Sequence, residues 1–244
     1  MAKKGCLVVH GLTGTPANME SVAVALRQKG FLVKVPLLAG HGEKLENLSR
    51  TGWRDWYATV VEAFEELAGE ADQIYYAGLS MGALLGLKLA IDKGAAIKAL
   101  ALLAVPFRVR PLFRRFVIPG VRYTPLRFVI RSVAKNFEKS VLDPEGRKKY
   151  RAASIARMPS RGVFETQNLM WVVEKELSKI KQPLLLIHGQ KDHLADPEGL
   201  FEIKVKVSSS LVDIVMFKNS AHVLTVDREK DDVARRVVGF FETA

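Results

Sequence analysis

Apolar runs and amphipathic periodicities alternate along most of the chain. Apolar runs of this length are typical of strands buried in a parallel sheet, and apolar residues spaced three and four apart predict helices that bury one face. The predicted strands are residues 6–10, 31–36, 74–77, 97–105, 183–188 and 211–217, and the predicted helices are residues 18–29, 53–67, 81–91, 197–206 and 229–242. The alternation predicts an α/β protein with about six mainly parallel strands flanked by helices.

The alternation stops between residues 106 and 181. Prolines punctuate the start of this segment at Pro106, Pro111, Pro119 and Pro125. Helical periodicity is clearer at residues 126–137 and 162–177. We therefore interpret residues 1–105 and 182–244 as one α/β core, and residues 106–181 as a mostly helical insertion over the carboxyl edge of its sheet.

The sequence Gly78-Leu79-Ser80-Met81-Gly82 lies where a predicted strand turns into a predicted helix. Small residues two before and two after a serine permit the sharp turn called a nucleophile elbow. In that turn the hydroxyl group lies at a helix N-terminus, where backbone N–H groups favour developing negative charge. Ser80 is therefore the candidate nucleophile.

A serine hydroxyl needs a base and a group that orients the base. His222 lies in a loop just past the last predicted strand, where it can reach the serine, and is the candidate base. Asp192 follows the preceding strand and is the candidate orienting group. Asp196 precedes Pro197, as a helix cap does, and so has a structural role of its own. The other histidines, His10, His41, His188 and His193, are expected to be structural or exposed.

The chain order Ser80, Asp192, His222 is the order of α/β-hydrolases. The stretches HGLTGTP (10–16), LLAGHG (37–42), GLSMG (78–82), HGQKDHLADPE (188–198) and NSAHVLTVDRE (219–229) resemble those of small bacterial carboxylesterases related to monoacylglycerol lipases. The resemblance implies an α/β-hydrolase fold in which residues 106–181 form a cap. It also implies an oxyanion hole made by the backbone N–H groups of Leu12 and Met81, and it implies no cofactor or metal.

The expected substrate is a small carboxylic ester, which can be lipid-like. Apolar cap residues are candidates for binding it: Phe113, Phe116, Ile130, Leu169, Met170 and Trp171. Any one of them can instead be ordinary packing. A monoacylglycerol lipase acting at lipid surfaces is the alternative, and a carbon–carbon bond hydrolase or a lipid-binding protein without activity is less favoured.

Charge is distributed unevenly along the 244 residues. The formal net charge is +11, and residues 106–181 hold 18 Lys and Arg against 6 Asp and Glu. A basic cap can contact anionic lipid or be a solvated surface, and nucleic acid is not expected because no recognition motif accompanies the charge. One cysteine and a short N-terminal apolar run predict a soluble, cytoplasmic protein. The sequence does not indicate the oligomeric state.

Overall fold

The computed structural model describes residues 2–42, 44–108, 124 and 129–244. Its main sheet has six strands: β1 (Lys4–Val9), β2 (Leu32–Lys34), β3 (Gln73–Leu79), β4 (Ile97–Leu103), β7 (Leu184–Gly189) and β8 (Val212–Phe217). The strand order is β2-β1-β3-β4-β7-β8, and every neighbouring pair is parallel. Two further strands, β5 (Ser132–Ala134) and β6 (Arg157–Pro159), form a separate antiparallel pair.

The central strands are buried on both faces, as their apolar sequences require. All of β7 is buried, and so is all of β4 except Lys98. The edge strands β2 and β8 are only half-buried. The six parallel strands confirm the predicted α/β class.

Helices cover both faces of the sheet. They are α1 (Glu20–Gln28), α2 (Leu45–Arg50), α3 (Trp53–Ala68), α4 (Met81–Lys93), α5 (Phe137–Ser140), α6 (Pro144–Ala152), α7 (Ser160–Glu174), α8 (Glu198–Lys206) and α9 (Lys230–Thr243). Helices α1 and α9 pack on one face, and α3, α4, α7 and α8 contribute to the apolar cluster on the other. None of the helices in the described ranges is long and apolar enough to cross a membrane.

The predicted helix at residues 126–137 is wrong where the structure describes it. Ser132–Ala134 is a strand, and Val133 pairs with Met158. The Asn136 side chain accepts a hydrogen bond from the Lys139 N–H at 3.0 Å, so a helix begins after Asn136 rather than running through it. Periodicity did not reveal a pairing partner 25 residues away. The predicted helix at residues 162–177 is present as α7.

The loops after β1, β3, β7 and β8 meet at the carboxyl edge of the sheet. The chain places β2 and β3 on opposite sides of β1, so the direction of winding changes at β1. Ligand sites of open α/β sheets lie in the crevice that such a change creates. Ser80, Asp192 and His222, and the predicted oxyanion-hole residues Leu12 and Met81, lie on these four loops or at the start of α4.

Candidate active site

Ser80 lies at the turn between β3 and α4 in a conformation that few residues other than glycine adopt. Its φ is 55° and its ψ is −119°. Its N–H donates to the Leu103 carbonyl of β4 at 2.8 Å, which ties the turn to the sheet. A methyl group at Gly78 would lie 2.5 Å from the Gly82 carbonyl oxygen, and one at Gly82 would lie 2.5 Å from the Val9 carbonyl oxygen. The two glycines therefore make this turn possible.

A chain of hydrogen bonds links Ser80 to His222 and Asp192. The Ser80 Oγ lies 2.9 Å from His222 Nε2, and His222 Nδ1 lies 2.6 Å from Asp192 Oδ2. With Nδ1 protonated, the ring donates to the carboxylate and leaves Nε2 free to accept the serine proton. The side chains of His222 and Asp192 are buried. The structure thus brings together the three residues that the sequence predicted would meet.

Asp192 is held as a carboxylate from several sides. Its Oδ1 accepts the N–H groups of Leu194 and Ala195 at 2.7 and 3.1 Å. Burial raises the pKa of Asp192, but the His222 charge and the His188 and His222 hydrogen bonds outweigh burial and lower the pKa well below its ordinary value. An ionised Asp192 can hold the His222 tautomer and stabilise the imidazolium.

The sequence did not predict that His188 lies beside Asp192. It was expected to be structural, and it is fully buried with Nε2 3.0 Å from Asp192 Oδ2. The two imidazole rings of His188 and His222 thus approach the same carboxylate oxygen. The His188-Gly189 pair at the end of β7 is visible in the sequence, but the approach to Asp192 depends on the fold of the loop.

Asp227 is a second residue that sequence reasoning missed. It is fully buried, and its Oδ2 accepts the Ala221 N–H at 2.8 Å, next to His222. Its Oδ1 accepts the N–H groups of Leu142 and Asp143 at 2.9 and 2.8 Å. Asp227 therefore joins the His222 loop to the segment between β4 and β7. Its position five residues after His222 gave no sign of this role.

The loop after β1 passes directly over Ser80. A methyl group at Gly11 would lie 3.1 Å from Ser80 Cβ, so glycine allows this close approach. Among the described residues, neither the Leu12 N–H nor the Met81 N–H donates a hydrogen bond to a loop carbonyl or to a side chain, and Met81 is the first residue of α4. Both N–H groups are therefore available beside the nucleophile.

His10 and His41 support this loop rather than taking part in proton transfer. His10 Nδ1 donates to the Gly11 carbonyl at 2.9 Å, and His10 Nε2 accepts the Leu38 N–H at 3.2 Å. Burial, with the neighbouring His41, lowers the pKa of His10 to about 3, so the ring is neutral. The His41 ring packs edge-on against His10 and Trp56. The structural roles predicted for His10 and His41 agree with these contacts.

Lys135, at the end of β5, reaches the same loop from the inserted segment. Its Nζ donates to Thr13 Oγ1 at 2.9 Å and to Ser154 Oγ at 3.0 Å. It also lies 4.9 and 4.1 Å from the ring centroids of Phe137 and Tyr150. Burial lowers the pKa of Lys135 to about 7. Thr13 has a φ of 67°, so the lysine binds a loop residue in a left-handed conformation.

None of the predicted substrate-binding residues that the structure describes lines the small cavity beside Ser80. Phe113 and Phe116 lie outside the described residues. Leu169 and Met170 are buried in the cluster between α7 and the core helices, while Trp171 is 36% exposed and Ile130 is half-buried. That cavity is lined by other residues, among them Tyr150 from the segment between β4 and β7. The role of the six predicted residues in binding substrate stays a prediction.

Comparison with known proteins gives consistent matches over nearly the whole chain. Residues 1–229 match the family described as Hydrolase_4, serine aminopeptidase S33. The chain is 31% identical over 240 residues to a thermostable monoacylglycerol lipase of Bacillus sp. strain H-257, with 97% of this chain and 90% of that protein covered. It is 26% identical to a carboxylesterase of Bacillus subtilis strain 168, with coverages of 98% and 92%. The solved monoacylglycerol lipase of Paleococcus ferrophilus has the same fold, with a TM-score of 0.83 at 20% identity over 98% of this chain and 94% of that one.

Proposed function

The chain belongs to the α/β-hydrolase family described as Hydrolase_4, serine aminopeptidase S33, and from this we propose that it is a serine carboxylesterase. The observation that carries the proposal is the hydrogen-bonded series Ser80, His222, Asp192, with distances of 2.9 and 2.6 Å. A serine, a histidine and a carboxylate in this arrangement are the groups that acyl transfer requires.

In the proposed acylation step, the Ser80 Oγ attacks the carbonyl carbon of the ester as His222 Nε2 takes the hydroxyl proton. The oxygen of the tetrahedral intermediate becomes negative and accepts the N–H groups of Leu12 and Met81. One such donor contributes roughly a hundred- to thousandfold in rate. When the intermediate collapses, His222 gives its proton to the departing alcohol and Ser80 keeps the acyl group.

In the second step, water replaces the alcohol. The water oxygen attacks the acyl carbon while His222 Nε2 takes one of its protons. The bond from the acyl carbon to Ser80 Oγ breaks, and Ser80 recovers the proton from His222. Asp192 stays ionised throughout and holds the imidazole in place.

The family description names an aminopeptidase, and the same three residues could cleave an amide. An enzyme that grips a free amino terminus needs a negative group near the bond it cleaves. The described residues place a basic side chain, Lys135, against the loop after β1. The curated relatives named above are a lipase and an esterase. Both points favour an ester substrate.

The test is hydrolysis of p-nitrophenyl esters from acetyl to palmitoyl, with amino-acid p-nitroanilides assayed beside them. We expect the wild type to cleave esters, with little action on the anilides. Ser80→Ala should lower kcat by several orders of magnitude. Thr59→Ala removes an exposed hydrogen bond to the Asp55 carbonyl within α3, and it is a control that should leave the rate unchanged. Wild-type activity on anilides alone, or full activity of Ser80→Ala, would overturn the proposal.

A second candidate is hydrolysis of monoacylglycerol at a lipid surface. It is favoured by the excess of basic residues in segment 106–181, which we propose as the cap, and by the monoacylglycerol lipase among the relatives. Vesicles with 30% anionic lipid are expected to bind the protein at low salt and release it at high salt. Equal binding to neutral vesicles would exclude the electrostatic surface while leaving the esterase proposal intact.

A further inference from the structure

A cavity of about 30 Å³ lies beside the candidate nucleophile. Its walls come from the loop after β1, the end of β3, the His222 loop and the inserted segment. The lining residues that carry polar side chains are Asn18, Ser80, Tyr150 and His222. A cavity needs roughly 10–15 Å³ to hold a water molecule. The cavity is therefore large enough for a water next to Ser80 and His222.

Asn18 is one of the lining residues, and its side-chain amide carries N–H donors. The residue is 2% exposed. Its Oδ1 accepts the Thr15 N–H at 2.9 Å, which fixes which end of the amide is oxygen. Its Nδ2 is buried and has no acceptor among the described protein atoms. Leaving a buried donor unsatisfied is unfavourable, so the amide needs an acceptor that the described part of the chain does not provide.

The Asn18 backbone joins the two loops on either side of the cavity. The Asn18 N–H donates to the Thr15 carbonyl at 3.0 Å, within the loop after β1. The Asn18 carbonyl accepts the Thr225 hydroxyl, three residues beyond His222. Gly14 allows the Asn18 side chain to lie against the loop, since a methyl group at Gly14 would lie 2.6 Å from Asn18 Oδ1. The amide is therefore held in one position relative to the His222 loop.

We propose that Asn18 binds the water that hydrolyses the acyl-enzyme. The inference rests on the proposed esterase function. The Asn18 Nδ2–H donates to one lone pair of the water oxygen, and the water in turn donates to His222 Nε2. The other lone pair faces the acyl carbon on Ser80. The water loses its proton to His222 as the carbon–oxygen bond forms, and the bond to Ser80 Oγ then breaks with return of that proton.

This role predicts an effect on one of two steps. Acylation by an ester needs no water, whereas deacylation does. In Asn18→Ala and Asn18→Asp the donor is lost, and the aspartate keeps the oxygen that accepts the Thr15 N–H. We expect both variants to slow deacylation about tenfold or more, while acylation changes less than threefold.

The experiment is rapid-quench kinetics with p-nitrophenyl acetate. Release of p-nitrophenolate in the first turnover reports acylation, and mass spectrometry of the quenched protein reports the decay of acyl-enzyme. Thr15→Val is the matched control, because it removes the Thr15 hydroxyl bond to the Ala153 carbonyl in the same loop but keeps the Asn18 amide. Thr15→Val should slow both steps equally or leave both unchanged. The midpoint of its thermal unfolding measures how much stability is lost when the loop is loosened.

Slower deacylation in both Asn18 variants, with acyl-enzyme that accumulates and acylation preserved, supports the assignment. If both steps slow equally, Asn18 only stabilises the loop. If deacylation is unchanged in Asn18→Ala, the amide does not bind the water. Either result overturns the inference while wild-type turnover still supports the esterase. An inert wild type would instead overturn the proposed function itself.

Discussion

The Ser80 turn and the segment between β4 and β7 are built in different ways. At the turn, a short motif permits the geometry, because Gly78 lets the backbone approach Gly82, and Gly82 lets it approach Val9 of β1, within distances that no side chain allows. In the segment, short elements are joined to the core by contacts distant in sequence, such as those of Asp227 with Leu142 and of Lys135 with Thr13. A sequence motif can therefore specify the nucleophile, while the surroundings of the nucleophile depend on tertiary contacts.

The largest effect on kcat is expected at Asp192. Asp192→Asn places an amide against His222 Nδ1 and favours the wrong tautomer, so kcat should fall about 10⁴-fold with little change in KM. Asp196→Asn is the control, because Asp196 accepts the Glu198 N–H at 3.1 Å and pairs with Arg108 at 3.4 Å. It should change kcat less than threefold. Equal losses in the two variants would contradict the role proposed for Asp192.

The next effect is expected at the turn itself. The methyl group of Gly78→Ala would meet the Gly82 carbonyl and the Tyr76 ring, so we expect a loss of about 1–3 kcal/mol in the free energy of unfolding and a large loss of activity. Gly239→Ala in α9 is the control, since no atom lies within 4 Å of the added methyl group. It should stabilise the protein by about 0.5–1 kcal/mol. Urea unfolding measures both, and a stable, active Gly78→Ala would contradict the account of the turn.

A smaller effect on turnover is expected at Lys135. Lys135→Met keeps the length of the side chain but loses the hydrogen bonds to Thr13 and Ser154, so the loop over Ser80 is held less firmly. We expect kcat/KM to fall about tenfold, because each lost hydrogen bond weakens the loop by about 1 kcal/mol. Lys139→Met, at an exposed position of α5, is the matched control and should leave kcat/KM unchanged. Unchanged kcat/KM in Lys135→Met would show that the contacts of Lys135 with Thr13 and Ser154 do not affect activity.

Lys135 also predicts a dependence of stability on pH. Its pKa is about 7 in the folded protein, below the ordinary value, so the unfolded chain binds more protons above pH 7. Stability contributed by this group therefore rises with pH from about 7 towards the ordinary lysine pKa. The difference in unfolding free energy between wild type and Lys135→Met should shift in favour of the wild type over pH 7–9. Parallel curves for the two proteins would contradict the assignment of this pKa.

The sequence predicted more of the core than of its surroundings. The six strands and the family were predicted correctly, because apolar runs and the Ser80 motif are local signals. Ser80, Asp192 and His222 were predicted as a set, and the structure places them in contact, although their catalytic roles remain proposals. The predicted helix at residues 126–137 was wrong because Ser132–Ala134 pairs with a distant strand. His188 and Asn18 gave no local signal, since their positions depend on how separate loops meet.

The most direct test of whether Ser80 carries the acyl group is the mass of the protein quenched during turnover of p-nitrophenyl acetate. We expect an acetyl group on the peptide that contains Ser80. The acetyl group should be absent in Ser80→Ala and should accumulate further in Asn18→Ala. Rapid ester hydrolysis with no acyl group on Ser80, in the wild type and in Asn18→Ala alike, would contradict this expectation.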